Sequence, residues 1–292
     1  MKDNTITEMK RTKTSSPLTI IGQDMHIMNT ELTRAIEQRD GKSLERMAEQ
    51  QVAFGADGLD MNFGLSKKSG KQFKWAVEAI RDAVDVPLFI SSHVLSHSEI
   101  LDKNRGRVTV NSVTADPATL ATAMEKAREY GADLVVLLVR PGLTPLTVDE
   151  RLQVATDVLE TAARVGFPLA DLYLDPLFHL RSDPVTWQLS RGVPDVDSVL
   201  ETIEMLPQLT GEKVRTLVAL SSASQFLPTA DRSGLHHRLL PLLIAAGLDA
   251  VILNCHDSKL MEIAGNPQLD MESDLSSIAQ VGANLDTATL PW

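Results

Sequence analysis

The sequence has a single cysteine in 292 residues, Cys255, so no disulfide can form within the chain, and that usage fits a reducing compartment such as the cytoplasm. It has no long hydrophobic run. Its longest apolar stretches, such as Leu239–Ala246, fall far short of the ~20 residues that cross a bilayer. It also has no block rich in lysine and arginine. With 28 Lys and Arg against 39 Asp and Glu, the net charge of −11 excludes the basic footprint that nucleic-acid phosphates demand. The first 17 residues carry Lys, Asp and Glu without the apolar core of a secretory signal, and are expected to form a disordered tail. No linker or shift of composition divides residues 18–292, which are expected to form one domain whose partners are small molecules or proteins.

What the sequence does have is a recurring apolar run that ends in a polar residue. Three such endings read Leu59-Asp60-Met61-Asn62, Val110-Asn111-Ser112 and Leu174-Asp175-Pro176. A parallel strand buried on both faces reads as continuous Val, Ile and Leu, so a carboxylate or amide at its end belongs at a mouth and not in the core. Eight strands are predicted, at Thr19–Gly22, Gly58–Asn62, Pro87–Ser91, Arg107–Asn111, Asp133–Val139, Asp171–Asp175, Arg215–Leu220 and Asp249–Asn254. Stretches of helical spacing lie between them, at Ser43–Phe54, Phe73–Val84, Ala118–Tyr130, Val148–Val165, Asp195–Leu206 and Gly234–Ala246. Gly55-Ala56-Asp57, Gly131-Ala132-Asp133 and Gly247-Leu248-Asp249 each follow a helix and precede a strand, where glycine supplies a left-handed cap. The alternation predicts a (β/α)8 TIM barrel.

Ligands of such barrels bind at the C-terminal ends of the strands. The residues there include Gln23, Asp24 and His26; Asp60 and Asn62; Ser91 and His93; Asn111 and Ser112; Arg140; Asp175 and His179; Ser222 and Gln225; and Asn254, Cys255 and His256. A carboxylate accepts two parallel N–H bonds and an amide both donates and accepts. Asp175 with Asn111 therefore suits a flat heterocycle with an amino-imine edge beside a carbonyl, as in a pterin. Asp and Asn in these places serve equally well as loop caps. His26, His93 and His256, near Cys255, are candidate zinc ligands, although no metal-binding spacing joins them and no metal is expected. Cys255 follows the apolar run Val251–Leu253 and reads as a buried hydrophobe, His236 and His237 read as solvent-facing, and Arg140 reads as a loop arginine in an ion pair or a contact for a carboxylate.

The segment Gly55–Gly64, with Val110-Asn111-Ser112, Asp171–Leu177 and Ala246–Ala250, resembles the pterin-binding barrel family from about Leu18 to about Ala264. Within it, the sequence resembles the methyltetrahydrofolate:corrinoid/iron–sulfur protein methyltransferases more than the dihydropteroate synthases. The resemblance implies a homodimeric enzyme that moves a methyl group between tetrahydrofolate, or a related small carrier, and the cobalt of a corrinoid (cobalamin) held by a partner protein docked over the rim. It implies that Asn111 and Asp175 grip the pterin, with Ser91, Ser112, Gln225 and Asn254 around it. Asp60 and Asn62 would order the pocket, and Ser222 would sit near the reacting atom. The sequence departs from the family pattern in having Ser91 for Asp, Ser222 for Asn, Asn254 for Asp, and Gly22-Gln23-Asp24-Met25-His26 as its opening motif. The synthase branch requires Lys after strand seven and Arg-x-His after strand eight, and only His256 is present. Two other readings are a corrinoid-dependent demethylase of a non-folate substrate using the rim histidines, and a non-catalytic barrel that docks a corrinoid protein.

Overall fold

A computed structural model of the chain describes residues 18–63, 70–178, 196–210, 214–225 and 227–265. The expected N-terminal tail, His179 and the stretch beyond Gly265 lie outside them. Eight strands close into one barrel in sequence order: β1 (Thr19–His26), β2 (Gly58–Asn62), β3 (Leu88–Ile90), β4 (Val108–Thr114), β5 (Asp133–Leu137), β6 (Leu172–Asp175), β7 (Arg215–Ala219) and β8 (Ala250–Leu253). Every neighbouring pair is parallel, including β1 with β8. The helices are α1 (Thr30–Gln38), α2 (Gly41–Ala53), α3 (Gly70–Ala83), α4 (Ser98–Lys103), α5 (Leu120–Tyr130), α6 (Val148–Val165), α7 (Val196–Met205), α8 (Leu220–Ala223), α9 (Thr229–Ala246) and α10 (Ser258–Gly265). None of the described helices is long and apolar enough to cross a membrane.

Local chemistry sets the boundaries. Asn29 and Asp40 cap α1 and α2 by accepting from Glu31 N and Ser43 N, and a Thr147–Glu150 capping box starts α6. Gly131 and Gly247 close α5 and α9 in the left-handed conformation, φ 63° and 100°, as the Gly-x-Asp pattern predicts. The aspartates of that pattern have a role the pattern did not reveal. Asp57 accepts from Ile20 N and Asp249 from Thr216 N, both at 2.9 Å, so each ties its strand's entry to the strand before it. Asp133 takes a guanidinium N–H of Arg215 at 2.7 Å.

Strand alternation divides the residues into two layers. Outward residues meet the helices in the main core, while Ile21, Phe89, Val135, Tyr173, Leu217, Ala250 and Ile252 fill the barrel interior. At the floor the Arg215 guanidinium lies 3.8 Å over the Tyr173 ring and donates to its hydroxyl at 2.8 Å. The same interior parity carries Asp60, Asn111 and Asp175, as shown by the pairings Asp60 with Phe89, Asn111 with Val135 and Asp175 with Leu137.

Several elements differ from the sequence expectation. β1 runs four residues further, to His26, through an irregularity between Gly22 and Met25; α1 was not expected, and α9 starts at Thr229 instead of Gly234. In β1 the glycine interrupts the hydrophobic pattern for a packing reason. Gln51, fully buried on α2, lies against Gly22 and accepts from Asp24 N at 3.1 Å. A Cβ on Gly22 would fall 2.3 Å from Gln51 Oε1, whereas one on Gly234 would meet nothing. Gly22→Ala is expected to lower stability in urea unfolding by about 1–3 kcal/mol. Gly234→Ala, in a helix interior, should raise it by up to about 1 kcal/mol.

Candidate active site

The candidate site is built on the interior faces of three strands, β2, β4 and β6. Asp60 of β2 is buried, and its Oδ1 accepts from Asn111 Nδ2 of β4 at 2.8 Å. Burial pushes the Asp60 carboxyl up to about 6, against the opposing pull of the Asn111 bond. Having used one N–H on Asp60, the Asn111 amide keeps a second N–H and a carbonyl oxygen for a ligand. Asp175 ends β6, buried, with Oδ1 accepting from Leu177 N at 2.8 Å. Its carboxyl is pushed up to about 7, by burial first, while the Leu177 N–H and the positive charge of Arg151 pull it down. Two carboxyls that exchange protons near neutrality, set around an amide, can accept from a ring in one form and donate to it in the other. Among the described residues no strand ends, at its C-terminal side, in a lysine or arginine. Arg140, after β5, pairs with Asp157 of α6.

The other expected site residues are placed as follows. Asn62 ends β2 and pairs with His26 of β1, both half-buried on the interior parity. The His26 ring accepts from Met28 N at 3.1 Å through Nδ1, and burial holds its pKa below the usual value. Ser91 is half-buried just beyond β3, and Ser112 lies where the β4–β5 register shifts. Ser222 is half-buried on α8, Gln225 is exposed, and Asn254 Oδ1 accepts from His256 N at 3.0 Å. His93 is exposed on the short helical turn Ser92–Ser96.

His256 points away from these groups. It pairs with Asp24 at 2.8 Å, and its ring meets Phe54, at the C-terminal end of α2, edge-on at 5.0 Å. The Asp24 N–H is in turn held by Gln51 of the same helix. No group of three or more His, Cys, Asp or Glu residues able to hold a metal occurs among the described residues, so His26, His93 and His256 are not gathered there. Cys255 is buried and its thiol is pushed up to about 12, chiefly by burial, so it stays protonated as a small hydrophobe.

The expectation that His236 and His237 face solvent is corrected. Because α9 begins at Thr229, His236 lies two turns inside it, 8% exposed, with Nε2 2.8 Å from Ser224 Oγ. His237 pairs with Asp257 at 2.8 Å. One buried residue was missed altogether. Arg151 is completely buried on α6, donating through Nε to Pro176 O at 2.9 Å and through Nη1 to Ser198 Oγ. A signal for it existed in the spacing, because Arg151 shares the apolar stripe of α6 with Val154, Ala155, Val158 and Ala162.

Residues 31–254 match the family described as pterin binding enzyme. The chain belongs to the pterin-binding enzyme family. Its fold is similar to solved dihydropteroate synthases at low identity. One from Yersinia pestis, with a pterine-sulfa conjugate, shares 16% identity at a TM-score of 0.58, over 85% of this chain and 90% of that one. One from Coxiella burnetii, in complex with pteroic acid, shares 16% at 0.59, over 85% and 91%. One from Stenotrophomonas maltophilia, with imidazole in its active site, shares 15% at 0.59, over 93% and 95%. These likenesses show the shared barrel fold, and the family match makes it one of the pterin-binding type.

For a pterin-binding enzyme the buried acids carry a thermodynamic signature. Asp60 and Asp175 bind protons more tightly folded than unfolded, so their contribution to stability is full below the ordinary carboxylate pKa near 4 and is lost as pH rises through about 6 and 7. Asp175→Asn keeps an acceptor for Leu177 N and has no charge to bury. Relative to the unaltered protein it is expected to gain about 2–3 kcal/mol between pH 5 and pH 8.5 in urea unfolding. Parallel pH dependences would contradict the buried ionisation.

Proposed function

We propose that this pterin-binding enzyme holds the ring of a reduced folate on Asp60, Asn111 and Asp175 and transfers its methyl group to the corrinoid of a partner protein. The observation that carries the reading is the pair of buried, proton-active carboxyls around one amide, with no lysine or arginine at the C-terminal strand ends described. The pterin edge offers two N–H groups to an ionised Asp175 and a carbonyl to an amide donor, matching the groups present. Loss of a methyl group leaves the bonding pair on a ring nitrogen, which is a poor leaving group unless it gains a proton or a hydrogen bond. Asp60, whose carboxyl is raised by burial to about 6, and the half-buried Ser222 hydroxyl acting through a water are the groups available for that donation. When docked, the corrinoid supplies a nucleophilic cobalt. Its carrier fits a rim where Ile27 and Met28 after β1, and Leu143 and Leu146 after β5, are exposed apolar residues. The reading includes a cytoplasmic homodimer whose subunits meet away from the mouth.

The competing reading is dihydropteroate synthesis, which the similar solved structures bring forward. It requires a site that stabilises a diphosphate leaving group. Ser222 stands where a lysine is needed, His256 is occupied by Asp24 on the α2 side, and two carboxyls line the mouth, all unfavourable to a polyanion. Demethylation by a metal held on His26, His93 and His256 is less favoured, because these side chains have separate surroundings.

Calorimetric titration with methyltetrahydrofolate, paired with a synthase assay on dihydropterin diphosphate and p-aminobenzoate, separates the first two readings. Folate binding with methylation of free cob(I)alamin supports the proposal, and synthase turnover overturns it. Asp175→Asn is expected to weaken folate binding about tenfold to a hundredfold in fluorescence quenching, the cost of a charge-assisted hydrogen bond. Unchanged affinity would remove Asp175 from the ring. Ser91→Asp with Ser222→Asn is expected to speed single-turnover methyl transfer from methyltetrahydrofolate by adding donors and acceptors around a ring already held in place. No gain would move the reading to a non-folate methyl carrier.

A further inference from the structure

We infer that Arg151 is a positioning residue for Asp175, acting from α6 outside the barrel by clamping the turn through which β6 leaves the wall. The turn is Asp175-Pro176-Leu177. Pro176 has no N–H to donate, and Leu177 adopts the left-handed conformation at φ 54°, which a branched side chain disfavours. That conformation nevertheless directs Leu177 N onto Asp175 Oδ1 at 2.8 Å and so sets the orientation of the carboxyl. A strained turn of this kind persists only when its surroundings impose it.

Arg151 supplies the constraint. Its Nε holds the Pro176 carbonyl at 2.9 Å, its Nη1 donates to Ser198 Oγ on α7, and its side chain has no solvent exposure. A planar guanidinium reaches a carbonyl and a hydroxyl at once in a way the single ammonium of lysine does not. A charge on the apolar stripe of α6, between helix and barrel, is costly unless it serves the groups it touches. Its positive charge also favours the ionised form of Asp175, partly offsetting burial. The neighbouring strands present uncharged residues to Asp175. Leu137 of β5 pairs with it, and Leu217 of β7 follows the paired Leu174 and Thr216. Among the described residues Arg151 is thus the charged group that acts on this acid.

The inference rests on Asp175 being the ring-binding acid, but its test has a readout that needs no ligand. The Asp175 carboxyl is titrated by carbon-13 NMR in the free protein, and methyltetrahydrofolate binding is measured separately. Arg151→Met is expected to raise the Asp175 midpoint by about one pH unit and to weaken folate binding about tenfold. Arg151→Lys should return the midpoint toward that of the unaltered protein and restore only part of the affinity, since a single nitrogen does not reproduce the separate Nε and Nη1 donors of the planar fork. Should the methionine variant fail to fold, Ser198→Ala, which removes one anchor, is expected to weaken binding with the midpoint raised in the same direction. A folded Arg151→Met protein with an unmoved midpoint overturns the inference whatever its affinity. A moved midpoint in the variant, when the unaltered protein itself binds no folate, leaves Arg151 as the positioning residue and overturns the folate reading instead.

Discussion

Two carboxyl groups, buried inside β2 and at the end of β6, set the conditions for the rest of the candidate site. Burial raises Asp60 to about 6 and Asp175 to about 7, and their hydrogen-bond partners only partly oppose it. Groups that are costly to ionise in the folded state do nothing for the barrel's stability at neutral pH. Perturbed carboxyls of this kind cluster at functional sites, which is why they are the candidates for the proposed ring contact.

The floor of the same barrel offers the contrast. There Arg215 meets Asp133 at 2.7 Å and the Tyr173 hydroxyl at 2.8 Å, so positive and negative groups satisfy one another beneath the apolar layer. The two ends share one strand alternation but differ in whether their polar groups are already paired. At the floor opposite charges meet, whereas Asp60, Asn111 and Asp175 are two acids and an amide with no cation between them among the described residues. The support for the mouth comes from outside the wall, where Arg151 and Gln51 lie buried on α6 and α2 and bond the backbone of the strand exits and of β1.

Membership of the pterin-binding enzymes does not by itself choose between transfer of a methyl group and displacement of a diphosphate. The polar surroundings differ for the two. A diphosphate requires cations, whereas the described interior strand ends carry serines, amides and acids, and His256 is turned onto Asp24 and Phe54. Ile27 and Met28 after β1, and Leu143 and Leu146 after β5, are exposed apolar residues.

By itself the sequence determined the eight strands and their order around a closed barrel, because strands buried on both faces leave continuous apolar runs and parallel neighbours require intervening helices. It determined Asp60, Asn111 and Asp175 as mouth residues for the same reason, since a polar residue ending such a run has one place to go. Tertiary structure alone decided where the remaining side chains point. Whether His256 faces the ligand or α2, whether His236 faces water or Ser224, and whether an arginine on the α6 stripe reaches Pro176 depend on contacts between segments distant in sequence. Periodicity records which face of an element is buried, but the partner waiting on that face is set only when the chain closes around it.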